Sequence, residues 1–335
     1  MVHLEIARIC FHRSICSPVS VGSAITAQLS LHSEFSGVIP DLMKQCKIIV
    51  KCLSINGQSG DFSVQYNCRV KGDICIFRIE LEPCSSAQLE FTCVEYPEGF
   101  RILPLLSEEV VFCDNPQPAI ICTVYRPLVY TDFEGSPQNI TIKEDRGLTM
   151  GSHLWDSSVV VFDHFNFILS SCCELPVYAE RKMVGVELGG GCGLTAIQMG
   201  MSKMFSRVYC SDLRQQIPLM KENIILNGVD CIVAVDELDW CDASNVQSFK
   251  MSLGSHPVDV IFAADVLYQH SVFEDLLGVI RSLSLPGHTV TFIAQKLRGQ
   301  KSNDSIDMTC PTGFSSVRVV TESNVIIWRL VMSQV

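Results

Sequence analysis

A strand that runs into a cluster of glycines and then into a helix constrains the fold more than any other feature of this sequence. Val184–Leu194 reads VGVELGGGCGL, an apolar run followed by Gly189, Gly190, Gly191 and Gly193. Glycine allows positive φ angles, and its missing side chain lets the backbone approach a ligand closely. The order of strand, glycine turn and helix is therefore typical of a cofactor loop in a parallel α/β sheet.

The segments around this loop alternate between strand and helix patterns. We predict strands at Asn139–Lys143, Val184–Leu188, Val208–Cys210, Val258–Ala263, Thr289–Ala294, Ser316–Val320 and Val325–Met332, and helices at Trp155–Leu169, Leu194–Met201, Gln215–Asn227 and Val272–Leu283. The alternation predicts an α/β fold, a mostly parallel sheet covered by helices on both faces. Ligands of such sheets bind at the carboxyl ends of the strands.

The N-terminal region has short, partly alternating apolar segments and almost no helical periodicity. We predict strands at Lys47–Leu53, Phe62–Val70, Ile74–Leu81 and Gln88–Tyr96, each bounded by turn-forming residues. Residues 113–118, CDNPQP, carry two prolines and mark the boundary of this region. The pattern predicts a smaller β-rich domain, a sandwich or barrel, at residues 1–122, followed by the α/β domain at residues 123–335.

The composition of the chain limits the kinds of molecule that it is expected to bind and the compartment in which we expect it. With 36 acidic and 25 basic residues the formal net charge is -11, which disfavours a nucleic-acid partner. The 17 cysteines include no CxxC pair, so we expect no metal site and free thiols in a reducing compartment. The sequence carries neither a secretory signal pattern nor an apolar run long enough for a membrane helix. We expect a monomer in the cytoplasm or nucleus, with no membrane partner.

Two strand ends near the glycine loop carry residues suited to a nucleoside. Asp212 stands 19 residues after Gly193, where a carboxylate can accept hydrogen bonds from a ribose diol; capping the following helix is the structural alternative. Asp239 and Trp240 end the next predicted strand. An acid and an aromatic ring there suit an adenine, although the tryptophan could equally fill the core.

A fourth strand delivers Asp265 and Tyr268 to the same edge of the predicted sheet. A carboxylate and a phenol can bind an incoming amine and orient its lone pair toward a bound cofactor. The structural alternative is an N-cap aspartate beside a packed tyrosine.

Taken together, these motifs resemble one family, the seven-β-strand protein-lysine methyltransferases of the "methyltransferase-like" group. The resemblance covers residues 123–335 and rests on Trp155, ELGGGCGL (187–194), VYCSDL (208–213), ENIILN (222–227), ELDW (237–240) and AADVLY (263–268). It implies a Rossmann-like seven-stranded methyltransferase sheet, S-adenosylmethionine as the cofactor, and a protein substrate whose lysine ε-amine accepts the methyl group.

The resemblance also implies roles for individual residues. At the cofactor it places Trp155, Glu187, Gly189, Gly190, Gly191, Asp212, Asp239, Trp240 and Ala264, and at the acceptor amine it places Asp265 and Tyr268. One segment departs from the family: Gln295–Gly313 lacks the paired aromatic residues that relatives carry near the substrate. Two alternatives therefore stay open, a methyltransferase for a small molecule or nucleic acid and a catalytically weak, cofactor-binding interaction module.

Overall fold

The computed structural model describes most of the chain in two compact units. The described residues are 5–13, 15–17, 19–20, 23–33, 37–62, 64–82, 84–113, 119–120, 123–145, 149–170, 182–254, 256–267, 270–298, 311 and 313–333. One unit, β-rich, spans Val2–Leu128 and Thr141–Gly147, and the other, α/β, spans Val129–Ile140 and Leu148–Val335. The domain boundary expected at residue 122 stays a prediction.

The β-rich unit is built from short strands, as the sequence predicts. In chain order they are β1 (Glu5–Arg13), β2 (Cys16–Ser17), β3 (Val19–Ser20), β4 (Ile25–His32), β5 (Lys47–Ile55), β6 (Gln58–Phe62), β7 (Gln65–Lys71), β8 (Ile74–Glu80), β9 (Ser86–Glu95), β10 (Phe100–Leu103), β11 (Leu105–Leu106), β12 (Val110–Cys113), β13 (Ala119–Ile120), β14 (Thr123–Thr131) and β15 (Pro137–Asp145), with a 3-10 turn at Leu42–Gln45. Residues of β14 and β15 belong to both units.

These strands form three sheets. One has the order β10-β1-β4-β8-β7, and a second has the order β15-β14-β11-β9-β12-β3, with β5 paired to β9 and β6 to β5. A two-stranded sheet joins β13 to β2. Along β9 every second residue is buried, which places Ala87, Leu89 and Phe91 in the core of this unit. The predicted N-terminal β-rich region is confirmed.

The single strand predicted over Phe62–Val70 is wrong. The structure ends β6 at Phe62 and begins β7 at Gln65. The two strands pair with different partners, β6 with β5 and β7 with β8, so the chain passes from one sheet to another between them.

A buried ion pair and its hydrogen bonds connect four segments of the β-rich unit. Arg126 donates from Nε to Glu144 at 2.9 Å and from Nη1 to the carbonyl oxygens of Ile9 at 2.6 Å and Pro104 at 2.9 Å. The side chains of Arg126 and Glu144 are 0% and 1% exposed. Removing one partner of such a pair leaves an uncompensated buried charge, which is strongly destabilising.

The α/β unit alternates strands and helices. Its elements are α1 (Asp156–Ser170), β16 (Met183–Leu188), α2 (Leu194–Met201), β17 (Phe205–Asp212), α3 (Ile217–Leu226), β18 (Val233–Glu237), α4 (Ala243–Ser252), β19 (Val260–Ala264), α5 (Phe273–Leu283), β20 (Val290–Lys296), β21 (Phe314–Glu322) and β22 (Val325–Met332), with 3-10 turns at Met150–Ser152 and His270–Val272. No helix within the described residues is long and apolar enough to cross a membrane.

The seven strands of this unit form one sheet in the order β18-β17-β16-β19-β20-β22-β21. The first five are parallel, and β22 runs antiparallel to both β20 and β21. All six residues of β16 are buried, as expected for a central strand covered on both faces. The predicted Rossmann-like sheet is thereby confirmed.

The strand order determines where a ligand can bind. From β16 the chain adds β17 and β18 on one side and then β19 and β20 on the other. The carboxyl ends of β16 and β19, which are hydrogen-bonded neighbours, therefore flank the point at which the strand order reverses. Such a point is the usual ligand crevice of an open α/β sheet.

Candidate active site

The glycine loop after β16 has a backbone that only glycine accommodates. Gly189, Gly191 and Gly193 have φ angles of 64°, 56° and 80°. A Cβ atom on Gly189 would lie 2.7 Å from Cγ1 of Val266, and one on Gly190 would lie 2.7 Å from Sγ of Cys210. Because both neighbours are buried, the loop runs as bare backbone past the carboxyl ends of the central strands.

Asp212, the last residue of β17, is bound to this loop. Its carboxylate accepts hydrogen bonds from the backbone N–H of Gly191 at 2.8 Å and of Leu213 at 2.7 Å. Burial raises the pKa of this carboxyl above its ordinary value. Since the N-cap residue of α3 is Gln216, Asp212 does not cap that helix. Its carboxylate lies beside the glycine loop, where the ribose contact was predicted.

Glu187 lies at the start of the loop, and its carboxylate contacts α2. It accepts hydrogen bonds from the backbone N–H of Ala196 at 2.9 Å and from Sγ of Cys210 at 3.3 Å. Burial is the main cause that raises the pKa of Glu187 to about 7. The contacts of Glu187 hold the loop to α2, and its role toward a cofactor stays a prediction.

Asp239 and Trp240 lie just beyond β18, which ends at Glu237, so they follow this strand and do not end it as predicted. A Cβ atom on Gly189 would be 3.3 Å from Cζ2 of Trp240, so the indole lies against the glycine loop. The same ring packs on the hydrophobic core, so it also fills the core. The Asp239 carboxylate accepts from the backbone N–H of Cys241 at 2.9 Å.

A short segment before α1 lies against the other side of the glycine loop. The carbonyl oxygen of Gly151 would be 3.0 Å from a Cβ atom on Gly191, and it accepts a hydrogen bond from Sγ of Cys192 at 3.5 Å. Trp155 ends this segment and donates its indole N–H to the Met150 carbonyl at 2.9 Å. The helix starts at Asp156, one residue later than predicted. The carbonyl oxygen of Trp155, the residue before it, accepts hydrogen bonds from the backbone N–H groups of Ser158 and Val159.

Asp265 directly follows Ala264, the last residue of β19, and has a left-handed backbone with φ 59°. Its N–H donates to the carbonyl of Ala294 on β20 at 2.8 Å. Its carboxylate receives two hydrogen bonds from Arg298, from Nη1 at 2.6 Å and from Nη2 at 2.7 Å. The N-cap residue of α5 is Val272, so Asp265 does not cap that helix. A non-glycine residue in this conformation is uncommon, and such residues cluster at functional sites.

Arg298 also contacts Trp155, with its guanidinium carbon 5.1 Å from the centroid of the indole ring. The structure thus brings together Asp265, Arg298 and Trp155, and separately Asp212 and Trp240 around the glycine loop. Tyr268, the second residue predicted at the acceptor amine, lies outside the described residues. Sequence reasoning missed Arg298; a cation two residues past the end of β20 becomes significant only once β20 is known to be the neighbour of β19.

A comparison with protein-family models finds a match to the model described as lysine methyltransferase, over residues 135–309. The match covers more than half of the chain. The protein belongs to the lysine methyltransferase family. Membership confirms the predicted family and its enzymatic activity, methyl transfer with S-adenosylmethionine as the methyl donor.

Several curated proteins that this chain resembles are named as protein-lysine methyltransferases. The chain is 27% identical over 188 residues to the mouse (Mus musculus) protein N-lysine methyltransferase METTL21A, an alignment that covers 55% of this chain and 78% of that protein. It is 29% identical over 197 residues to mouse protein-lysine methyltransferase METTL21E, covering 57% and 72%. A human (Homo sapiens) protein-lysine N-methyltransferase, EEF2KMT, is 26% identical over 44% of this chain and 45% of its own length.

The described residues fit the adenosyl cofactor of this family. A loop with no room for side chains lets the backbone approach a ligand, and the carboxylate of Asp212 is held beside it. Trp240 adds an aromatic surface against Gly189. Bare backbone, a carboxylate and an aromatic ring are groups that can contact the methionine chain, the ribose diol and the adenine of such a cofactor.

Proposed function

We propose that this protein transfers a methyl group from S-adenosylmethionine to a lysine ε-amine of a protein substrate. The observation that carries the proposal is the position of Asp265: a buried carboxylate at the carboxyl end of β19, next to the strand that leads into the glycine loop. The names of METTL21A and METTL21E support a protein lysine as the acceptor.

The residues around the loop would hold the cofactor, and those after β19 would hold the acceptor. Asp212 would accept hydrogen bonds from the ribose hydroxyls, and Trp240 and the glycine loop would contact the adenosyl group. When bound, S-adenosylmethionine supplies an electrophilic methyl group on a positively charged sulfur. Asp265 would accept a hydrogen bond from the N–H of the incoming amine and so direct its lone pair toward that methyl group.

A catalytically weak, cofactor-binding module is the second candidate, because Arg298 already engages both oxygens of Asp265. A site closed by this ion pair would bind cofactor and methylate lysine only slowly. The two candidates differ in the rate at which labelled protein product forms.

The test is incubation of the purified full-length protein with tritium-labelled S-adenosylmethionine and a cell extract, followed by acid hydrolysis of the labelled band and separation of its amino acids. Asp212→Ala, which should bind cofactor poorly, is the control. We expect radioactivity in a methylated lysine with the unmodified protein only. Label in another amino acid, or cofactor binding without any labelled product, would contradict the proposal.

We also propose that the protein works as a monomer in the cytoplasm or nucleus and that residues 1–122 position the protein substrate. The 17 cysteines, which include no CxxC pair, support a reducing compartment.

A further inference from the structure

The ion pair between Arg298 and Asp265 at the proposed acceptor site is fixed by several contacts. Arg298 approaches Asp265 with two parallel N–H···O bonds of 2.6 and 2.7 Å, the bidentate geometry that a planar guanidinium provides. The Asp265 side chain is 3% exposed and that of Arg298 27% exposed. The guanidinium carbon lies over the Trp155 ring, 5.1 Å from its centroid, which adds a cation–π contact to the ion pair.

Other polar groups at this edge of the sheet have contacts of their own. Lys296, at the end of β20, pairs with Asp156 at the start of α1. Asp212 is held by the N–H groups of Gly191 and Leu213, and Glu187 by α2. The His153 ring packs on Trp155 with 4.5 Å between centroids. Among the ion pairs seen in the described residues, Arg298 is the cation that contacts the Asp265 carboxylate.

The positive charge of Arg298 beside Asp265 affects the protonation of a lysine that binds there. This inference rests on the proposed function. The lone pair of the amine nitrogen must form the new N–C bond as the C–S bond breaks. The sulfur keeps the electron pair of that bond and becomes a thioether, and the surplus proton on nitrogen passes to solvent. An ammonium has no lone pair, so lysine must lose a proton first. A bare carboxylate would oppose this loss, because a nearby negative charge raises the pKa of an ammonium.

We propose that Arg298 is a specificity-determining residue of the acceptor site: its bidentate ion pair neutralises Asp265, so that the site receives lysine as a free amine and discriminates against the ammonium. Each carboxylate oxygen has two lone pairs, so Asp265 can still accept a hydrogen bond from a neutral amine while Arg298 holds it. Lysine could not replace Arg298 fully, because a single ammonium lacks the planar fork and stacks less well on Trp155.

The decisive experiment is calorimetric titration of the cofactor-free protein with n-butylammonium chloride at neutral pH, with 1-butanol as the uncharged control ligand. The proteins compared are wild type, Arg298→Met, Arg298→Lys and the double variant Arg298→Met with Asp265→Asn. Methionine keeps the apolar stem and removes the charge. We expect Arg298→Met to bind n-butylammonium at least about tenfold more tightly than wild type, because the exposed carboxylate then attracts a cation.

The proposal further requires that Arg298→Lys, which keeps the positive charge, show no such gain in n-butylammonium affinity, and that the double variant lose the gain seen in Arg298→Met. Equal ammonium affinity in wild type and Arg298→Met would overturn it, and so would a gain that persists without the Asp265 carboxylate. Melting temperatures measured on the same samples identify any variant that fails to fold, in which case Arg298→Gln replaces it. None of these readouts requires methyl transfer, so the inference and the proposed function can fail separately.

A second readout is the pH profile of labelling with tritiated S-adenosylmethionine and a cell extract. Arg298→Met should move the pH of half-maximal rate upward by about one unit or more, since the bare carboxylate raises the pKa of the bound lysine. Arg298→Lys should keep the wild-type midpoint with a lower rate. Glu187, whose pKa burial raises to about 7, is present in all three proteins and does not distinguish them. A slower Arg298→Met with an unchanged midpoint would mean that Arg298 is merely structural.

Discussion

Substitution of Gly189 by alanine tests the structure of the cofactor loop, because two separate costs can be worked out for it. The φ angle of 64° is unfavourable for an L side chain by about 1–2 kcal/mol. The added Cβ would also lie 2.7 Å from Cγ1 of Val266 and 3.3 Å from Trp240, both fixed by packing. Overpacking of this kind costs about 1–3 kcal/mol more.

Gly228 provides a matched control. Its φ angle is 65°, almost the same as that of Gly189, and a Cβ placed there would meet no atom within 4 Å. Gly228→Ala should therefore show the backbone cost alone, about 1–2 kcal/mol in the free energy of unfolding, with unchanged cofactor affinity. Gly189→Ala should lose about 1–3 kcal/mol more and bind S-adenosylhomocysteine at least about tenfold more weakly, because the loop and Trp240 must move apart.

Urea denaturation and calorimetric titration with S-adenosylhomocysteine measure the two quantities on each protein. If both alanine variants show the same stability and the same affinity, the loop is not packed as described. The cofactor would then have to bind elsewhere on the sheet edge.

Three further predictions concern other residues. Asp212→Ala should weaken S-adenosylhomocysteine binding by about one to two powers of ten in calorimetry, because a charge-assisted hydrogen bond contributes about 1.5–3 kcal/mol; unchanged affinity in a folded variant would refute the ribose contact. Glu187 has a folded-state pKa raised from 4.5 to about 7, so the folded protein binds the proton of this carboxyl more tightly than the unfolded chain does. The contribution of Glu187 to the free energy of unfolding is therefore fully present below pH 4.5 and is lost as the pH rises to 7. Relative to Glu187→Gln, the unfolding free energy of wild type should fall by about 3 kcal/mol between pH 4 and pH 8 in urea denaturation, and parallel pH curves would contradict this. Deletion of residues 1–122 should leave cofactor binding intact and lower the labelling of protein substrate; an insoluble fragment would mean that these strands complete the core of the α/β unit.

The parallel sheet and its glycine loop could be predicted because the sequence pattern of each segment matches the place that the segment takes in the folded sheet. The apolar run of Val184–Leu188 is long enough to be a buried strand, and the glycines after it have few other uses. Helix α2 occupies Leu194–Met201 as predicted. By contrast α4, Ala243–Ser252, was missed because its apolar stripe is narrow, with Val246 and Phe249 the only members within the helix that contact the core cluster. Among its ten residues Phe249 alone is buried, and the Asp242 side chain caps the start of the helix.

The Asp265–Arg298 pair could not be predicted for a different reason. The two residues are 33 positions apart and follow separate strands. Their contact depends on β19 and β20 being neighbours, and strand order is a property of the folded sheet that the periodicity of single segments does not contain. Asp212 and Trp240 were easier to predict, because a recognisable loop and the spacing from it already suggested a nucleoside.

The most direct test of the central claim, that Asp265 holds the acceptor amine, is to measure methyl transfer and cofactor affinity together on Asp265→Ala. Loss of the group that orients a reacting amine should lower the rate of transfer by about a thousandfold. Affinity for S-adenosylhomocysteine should stay close to wild type, because the loop, Asp212 and Trp240 are unchanged. A folded, cofactor-binding Asp265→Ala that transfers methyl groups at the wild-type rate would contradict the assignment of the acceptor site.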